Sequence, residues 1–280
     1  MSARSKTLRP ASLPIAILYM VSLFFLLGMG EAKADSTDLF DPGKDPPYEL
    51  DILTGYYNWN YQESGDSDSA GMVPVRGRFL GYWHSLVYGL DGMYASTFNG
   101  MYNGALQGGT PFSGPMAETM VQGSLHLGVT HVFYGTRWDL WGSVGYHQQI
   151  WMTPAPAGYE EIYRIPFLGV TLYSQSPLAS SIVFFSEIGY RSAFSPSVTV
   201  GLYDNPTLNL GGAWNTHGRI GIRYYVAPPV ALSLAFAYSG WSFTQSPVTP
   251  IPNSNPAVSI QEPDSTTTWW GPEIGVTLNF

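Results

Sequence analysis

Trp270-Gly271-Pro272-Glu273-Ile274-Gly275-Val276-Thr277-Leu278-Asn279-Phe280 is the stretch whose reading decides the fold. Apolar side chains recur at every second position, Ile274, Val276, Leu278 and Phe280, and the residues between them are small or polar. A period of two marks a strand with one apolar face, because successive side chains point to opposite sides of the pleat. Upstream, Leu232, Leu234, Phe236 and Tyr238 alternate with Ser233, Ala235 and Ala237 in the same way.

Working back toward the start, the same alternation predicts ten strands. They cover 50–62, 73–85, 87–98, 118–133, 137–151, 162–173, 182–194, 211–226, 230–243 and 266–280. The connections alternate long and short: long near 63–72, 99–117, 152–161, 195–210 and 244–265, short near Leu86, 134–136, 174–181 and 227–229. Outer-membrane barrels have that alternation and an even strand number, with both termini on the periplasmic side. The expected fold is therefore all-β, a transmembrane antiparallel up-and-down β-barrel of about ten strands over 50–280.

The N-terminus supplies the address. Arg4, Lys6 and Arg9 precede an apolar run from Ile15 to Leu27, and Ala32-Lys33-Ala34 gives a small-x-small pattern. These features predict a signal peptide over 1–34, cleaved before Asp35. The run of about 13 residues is too short for a spanning helix, which needs roughly 20. Residues 35–49, with Pro42, Pro46 and Pro47, read as a short periplasmic leader, so the expected location is a Gram-negative outer membrane.

Composition supports the same reading. Only 11% of residues are charged while 15% are aromatic and 31 are glycine, against about 25% charged in soluble domains. Cleavage would remove Arg4, Lys6, Arg9, Lys33 and Glu31, leaving 8 basic residues against 19 acidic. That balance argues against nucleic acid as a partner. With zero cysteines there are no disulfides or thiolate sites, so stability must come from pairing and packing. A secreted β-sandwich shares the period of two, but Trp83, Phe133, Tyr134, Trp138, Tyr173, Tyr224 and Tyr225 fall at strand ends, as girdle residues at a lipid boundary would.

The hairpin of Gly218-Arg219-Ile220-Gly221-Ile222-Arg223-Tyr224-Tyr225 and Leu232–Tyr238, followed by Trp270–Phe280, resembles the last hairpins of small OmpA-like and OmpW-like outer-membrane barrels. The resemblance covers about 60 residues. It implies a monomeric barrel set among outer-membrane lipid and lipopolysaccharide, with Phe280 as the assembly signal read by the barrel-assembly machinery. Ten strands depart from the eight usual in those families, so their roles do not transfer.

Lumen-facing polar residues are the candidate functional set. The predicted registers give a lower layer of His84, Asp91, Asp139, Glu187 and Arg223. A middle layer holds His126, His147, Arg191, His217, Arg219 and Glu273, and an upper layer Arg76, Arg78 and Arg164. Such residues either pair to fill the lumen or line a narrow conduit that selects solutes. The function so read is a narrow channel for passive passage of small solutes. The alternatives are a non-conducting structural or surface-interaction, adhesin-like barrel and an outer-membrane hydrolase.

Hydrolase chemistry has thin support. Ser124 and His126 share a strand face as a hydroxyl and a base would, but in the reverse of the His-x-Ser order of lipid A deacylases. Asp66 and Asp68 give an Asp-x-Asp spacing, and no Asp-x-His of the omptin type accompanies it. The five histidines show no metal spacing, and neither metal nor cofactor is expected. The loop 244–265, with five prolines, is expected to lack regular strand.

Overall fold

The protein is described from a computed structural model over residues 47–280, apart from 106–109, 154–157, 203, 228 and 252–257. The expected signal peptide and the leader up to residue 46 lie outside the described residues.

Ten antiparallel staves close into a barrel. The first stave is broken, as β1 (Tyr48–Gly55) and β2 (Tyr57–Glu63). Then follow β3 (Ser67–Trp83), β4 (Leu86–Ala105), β5 (Pro111–Phe133), β6 (Thr136–Met152), β7 (Glu160–Ala179) and β8 (Ile182–Ala193). After the small hairpin β9 (Ser197–Val200) and β10 (Thr207–Asn209) come β11 (Gly212–Ala227) and β12 (Val230–Thr244). Another, β13 (Thr249–Pro250) with β14 (Ser259–Ile260), precedes the closing stave β15 (Ser265–Asn279). Closure runs from Glu49↔Asn279 to Gly55↔Glu273 in β1 and from Asn58↔Trp270 to Glu63↔Ser265 in β2. Backbone bonds also join Tyr48 and Phe280 in both directions, at 3.1 and 3.0 Å.

All ten predicted strands are present, and most are longer than the alternation suggested. Turns at the end where the described chain starts are tight. Tyr134 and Gly135 both have positive φ, 49° and 72°, as a type I′ hairpin turn requires. At the opposite, loop end the first connection shrinks to residues 64–66, because β2 and β3 extend past the apolar belt. The proline-rich loop does hold a two-residue ladder, Thr249↔Ile260 and Pro250↔Ser259, contrary to expectation. In so short a ribbon both strands are edges, and there the missing proline N–H costs nothing.

The break at Tyr56 also has a proline origin. Pro74 on β3 and Pro272 on β15 flank it, and neither can donate to the ladder. The staves draw close at this level: a Cβ on Gly271 would lie 2.0 Å from the Tyr56 carbonyl oxygen. Strand-interior glycine commonly marks such an approach.

Outward positions form an apolar belt, in which Leu125, Leu127, Leu168 and Ile274 are all more than half exposed. It ends near Tyr56, Val73, Tyr94, Val121, Tyr146, Leu168, Tyr190 and Trp270, and the membrane-spanning segments end with it. Beyond that line most outward residues turn polar, among them Asn58, Asn60, Gln62, Ser67, Ser69, Thr119, Gln148, Arg164 and Thr266, with Met101 and Met152 as apolar exceptions. Of the expected girdle, Trp83, Phe133, Tyr134 and Tyr224 face outward. Tyr173 is instead fully buried in the lumen and Tyr225 turns inward to Asn279, because both lie on the lumen side of the pleat.

Gly271→Val should cost about 1–3 kcal/mol through overpacking at the break. Gly77→Ala, at a position with nothing within 4 Å of an added Cβ, should change stability by no more than about 0.5 kcal/mol. Urea titration of the heat-modifiable folded band measures both.

Candidate functional site

Ion pairs and hydrogen bonds fill the turn end of the lumen. Glu49 and Asp51 lie two apart on β1, so both carboxylates point inward. Arg223, from β11, bonds both Glu49 oxygens at 2.9 Å and Asp51 at 3.0 Å. Arg78, from β3, reaches Asp51 at 2.7 Å and Glu187 on β8 at 2.9 Å. Arg137 on β6 and Gln175 on β7 add bonds to Glu49 at 3.3 and 3.0 Å, and Thr277 on β15 donates to Asp51 at 2.6 Å. Arg219 sits 3.5 Å from Glu187 and 3.7 Å from Glu273. The guanidinium groups rest on rings, Arg78 over Tyr173 and both Arg219 and Arg223 over Phe185. A cation held over an aromatic face gains attraction without needing another acceptor.

Charge balances across this region. Arg76, Arg78, Arg137, Arg191, Arg219 and Arg223 face inward with Glu49, Asp51, Asp91, Asp139, Glu187 and Glu273. That is six cations against six carboxylates, as a dehydrated lumen requires if no charge is to be left alone.

Midway along the barrel a neutral band follows. Asn215 accepts from Arg191 at 3.2 Å and donates to Ser239 at 2.8 Å, and its oxygen also meets His217. His147 is stacked on Trp241 with ring centroids 5.2 Å apart. His126 approaches Asp91 at 3.4 Å, and Ser124 donates to the same carboxylate at 2.9 Å. Ser124 and His126 do share a face, but the hydroxyl is turned to Asp91, and no bond joins it to the imidazole among the described residues. Above this band Tyr57, Trp59, Met72, Met120, Trp241 and Trp269 are fully or almost fully buried and make a dry aromatic layer.

Above the belt, at the loop end, the charged side chains that face the lumen among the described residues are carboxylates. Glu63, Asp68, Glu118, Glu161 and Glu262 have no arginine, lysine or histidine ion pair among the described residues. Their partners are neutral. Tyr61 donates to Glu63 at 2.8 Å and Trp151 to Asp68 at 2.7 Å, and the Tyr163 hydroxyl is shared between Glu161 at 3.0 Å and Glu262 at 2.5 Å, donating to one and accepting from the other. Both oxygens of the fully buried Glu118 lack a partner. Burial raises the Glu63 carboxyl to about 8, and the Asp68 and Glu262 carboxyls to about 7. It also holds Glu118 and Glu161 well above the usual range, with neighbouring carboxylates adding to the effect. A cavity of about 20 Å³ lies between Tyr61, Glu63, Asp68, Gln149, Trp151, Tyr159, Glu161 and Tyr163.

Of the residues chosen from sequence, twelve face the lumen: Arg76, Arg78, Asp91, His126, Asp139, His147, Glu187, Arg191, His217, Arg219, Arg223 and Glu273. Two do not. His84 occupies the first turn with φ of 54° and is exposed, because β3 ends at Trp83. Arg164 lies on the outer face, since Tyr163 and Ile165 take the lumen side, and it bonds Thr199 of β9 at 2.6 Å. Arg78 belongs to the lowest cluster rather than an upper layer, because β3 runs down toward the turns.

Sequence reasoning missed Glu49 and Asp51, the centre of the cluster. Starting the first strand at Leu50 put Glu49 in the leader, whereas β1 begins at Tyr48. The signal was present: Glu49, Asp51 and Leu53 alternate with Leu50, Ile52 and Thr54. The vestibule carboxylates Glu118, Glu161 and Glu262 were missed because they are far apart in sequence: Glu118 heads one expected strand, Glu161 lies one residue before another, and Glu262 falls in the proline-rich loop.

No family model matches the sequence, and no curated protein matches it. Among solved structures the chain is similar to the outer membrane protease OmpT from Escherichia coli, at TM-score 0.50 and 11% identity over 83% of this chain and 96% of that one. It also matches the translocator domain of autotransporter NalP from Neisseria meningitidis, at TM-score 0.45 and 8% identity over 96% and 98% of the two chains. A further match is Ail, the attachment invasion locus protein of Yersinia pestis, at TM-score 0.34 and 9% identity over 82% and 99%. At 11% identity what is shared with OmpT is the fold: the protein is an outer-membrane-type β-barrel.

Arg223→Ala should destabilise the barrel by about 3–5 kcal/mol, because Glu49 and Asp51 then stay buried without it. Arg164→Ala should cost about 0.5–1.5 kcal/mol, the worth of one hydrogen bond. Equilibrium unfolding in detergent ranks the two. The vestibule carboxyls predict a pH dependence with a definite sign. Because the Glu63 carboxyl titrates near 8 when folded, against 4.5 ordinarily, its contribution is fully present below about pH 4.5 and is lost as pH rises through 8. Stability of the folded band measured from pH 4 to 9 should fall over that window, and Glu63→Gln should flatten the fall.

Proposed function

We propose that the protein is a closed, non-conducting barrel of a Gram-negative outer membrane that acts through its extracellular, loop end. This favours the surface-interaction alternative over a narrow channel for small solutes. The observation that carries it is the bonding of Arg223 to Glu49 and Asp51. These residues stand on β11 and β1, staves separated by β12 and β15, so the bonds cross the lumen. Arg78 and Arg137 extend the same cluster from β3 and β6. A solute passing this level would have to leave buried charges without partners, which costs several kcal/mol per ion. Ten staves enclose little more than their own side chains, which leaves little space beside the cluster.

The orientation follows from barrel architecture, in which short turns face the periplasm and long loops face outward. On this reading the chain is exported by a signal peptide cleaved near Ala34 and Asp35. It is inserted as a monomer by the barrel-assembly machinery through its Phe280 strand, and lipid and lipopolysaccharide surround it.

Planar-bilayer recording tests the proposal. The native barrel should give no unitary steps at either polarity over a wide voltage range, in membranes where the heat-modifiable folded form is recovered. Reproducible steps whose size changes in Arg219→Gln or Glu273→Gln would restore the channel reading.

A further inference from the structure

The carboxylate vestibule at the loop end has no role in closing the lumen, and its chemistry is that of a receptor. We infer that it binds the head of a small primary ammonium ion, an alkylamine in its protonated form, between Asp68, Gln149 and Glu161.

Three independent features point there. The first is charge: Glu63, Asp68, Glu118, Glu161 and Glu262 are gathered with only neutral donors as partners. Burying such a cluster is unfavourable unless the carboxyls hold protons or a cation replaces them. Protons are indeed held, since burial keeps Glu63 protonated to about pH 8. A bound cation would displace them.

The second is unused acceptor capacity inside the cavity. Gln149 is 1% exposed and gives its amide N–H to Thr267 at 3.3 Å, while its carbonyl oxygen makes no hydrogen bond within 3.5 Å and has the His147 imidazole, two residues back on the same face, as its neighbouring donor. Asp68 is 3% exposed and takes the Trp151 indole N–H on one oxygen, leaving the other without a bond. Buried acceptors are almost always satisfied, so two facing one small cavity call for a donor. An alkylammonium head supplies three N–H donors and accepts nothing.

The third is the wall. Tyr61, Trp151, Tyr159 and Tyr163 line the cavity. Aromatic faces attract cations by their ring quadrupoles and shelter the alkyl stem of an amine. Size fits as well: about 20 Å³ holds one water-sized group, which an ammonium head matches and a quaternary ammonium exceeds. A metal ion is the poorer occupant, because among the described residues no three His, Asp or Glu side chains converge as metal ligands.

The inference deepens the proposed function: it rests on the loop end being the working end, and not on the lumen being closed. Titration calorimetry on the full barrel folded in detergent at pH 8 tests it with ethylammonium, tetramethylammonium and calcium as chlorides at equal ionic strength. Ethylammonium should bind saturably, with a change in tryptophan fluorescence. Tetramethylammonium should bind at least tenfold more weakly. Gln149→Leu, which removes an acceptor without changing charge, and Asp68→Asn should each weaken ethylammonium at least tenfold while keeping the heat-modifiable band. Absence of saturable ethylammonium binding, equal binding of tetramethylammonium, or preference for calcium would each overturn the proposal. Conductance measured on the same preparation keeps the two readings apart, because a barrel that conducts and still binds ethylammonium would refute only the closed lumen.

Discussion

A small closed barrel has to satisfy every polar group it points inward, because its lumen holds too little water to do so. In this protein the bonds from Arg223 to Glu49 and Asp51 meet that requirement at one end. Much else depends on them. Glu49 and Asp51 fix the face that β1 presents, and so the register with which β1 meets β15. A slip of one residue would turn both carboxylates to lipid and bring Leu50 and Ile52 inward. The ion cluster therefore sets closure as well as filling. A buried ion pair adds little net stability over apolar packing, but breaking one is costly. Specificity of register is the gain that fits this geometry.

The two ends of the lumen solve the same electrostatic problem in opposite ways. At the turn end Glu49, Asp51 and Glu187 each have a guanidinium within reach, and Arg78, Arg219 and Arg223 each rest on a ring. At the loop end carboxylates meet tyrosine, tryptophan and one another. Neutral donors supply no charge, and burial outweighs their hydrogen bonds, so the carboxyls keep protons that ordinary ones lose. Only the second arrangement leaves a site that a cation could enter.

How much of this was legible in the sequence depended on which constraint each residue obeys. Period-two alternation revealed all ten staves because lipid on one side and the lumen on the other divide every strand, as Leu232 to Tyr238 show. Most lumen residues followed from the same parity. Strand ends did not, because nothing in the alternation says where the membrane stops. Tyr48 and Glu49 were thus left outside the barrel, and Glu161 and Glu118 were not connected with one another. Arg164 was misplaced by one step of parity, since Tyr163 and Ile165 take the lumen side. The vestibule arises where β2, β3, β5, β6 and β7 meet far apart in sequence, and no local motif announces that meeting.

Between the two ends lies the aromatic layer of Trp59, Trp241 and Trp269 with Met72 and Met120. It is more than filler. A layer of buried apolar and aromatic side chains keeps the local dielectric low, which strengthens any interaction across it that is not paired locally. The balanced cluster below presents nearly no net charge to the vestibule, so its arginines do not draw the upper carboxylates down toward ordinary acidity. If the lower cluster carried an excess cation, the field across this dry layer would favour ionised Glu118 and Glu161, and the protons they hold would be lost. The unusual carboxyls at the loop end owe their protons to burial and to one another, and no hydrogen bond among the described residues joins them to the cluster below.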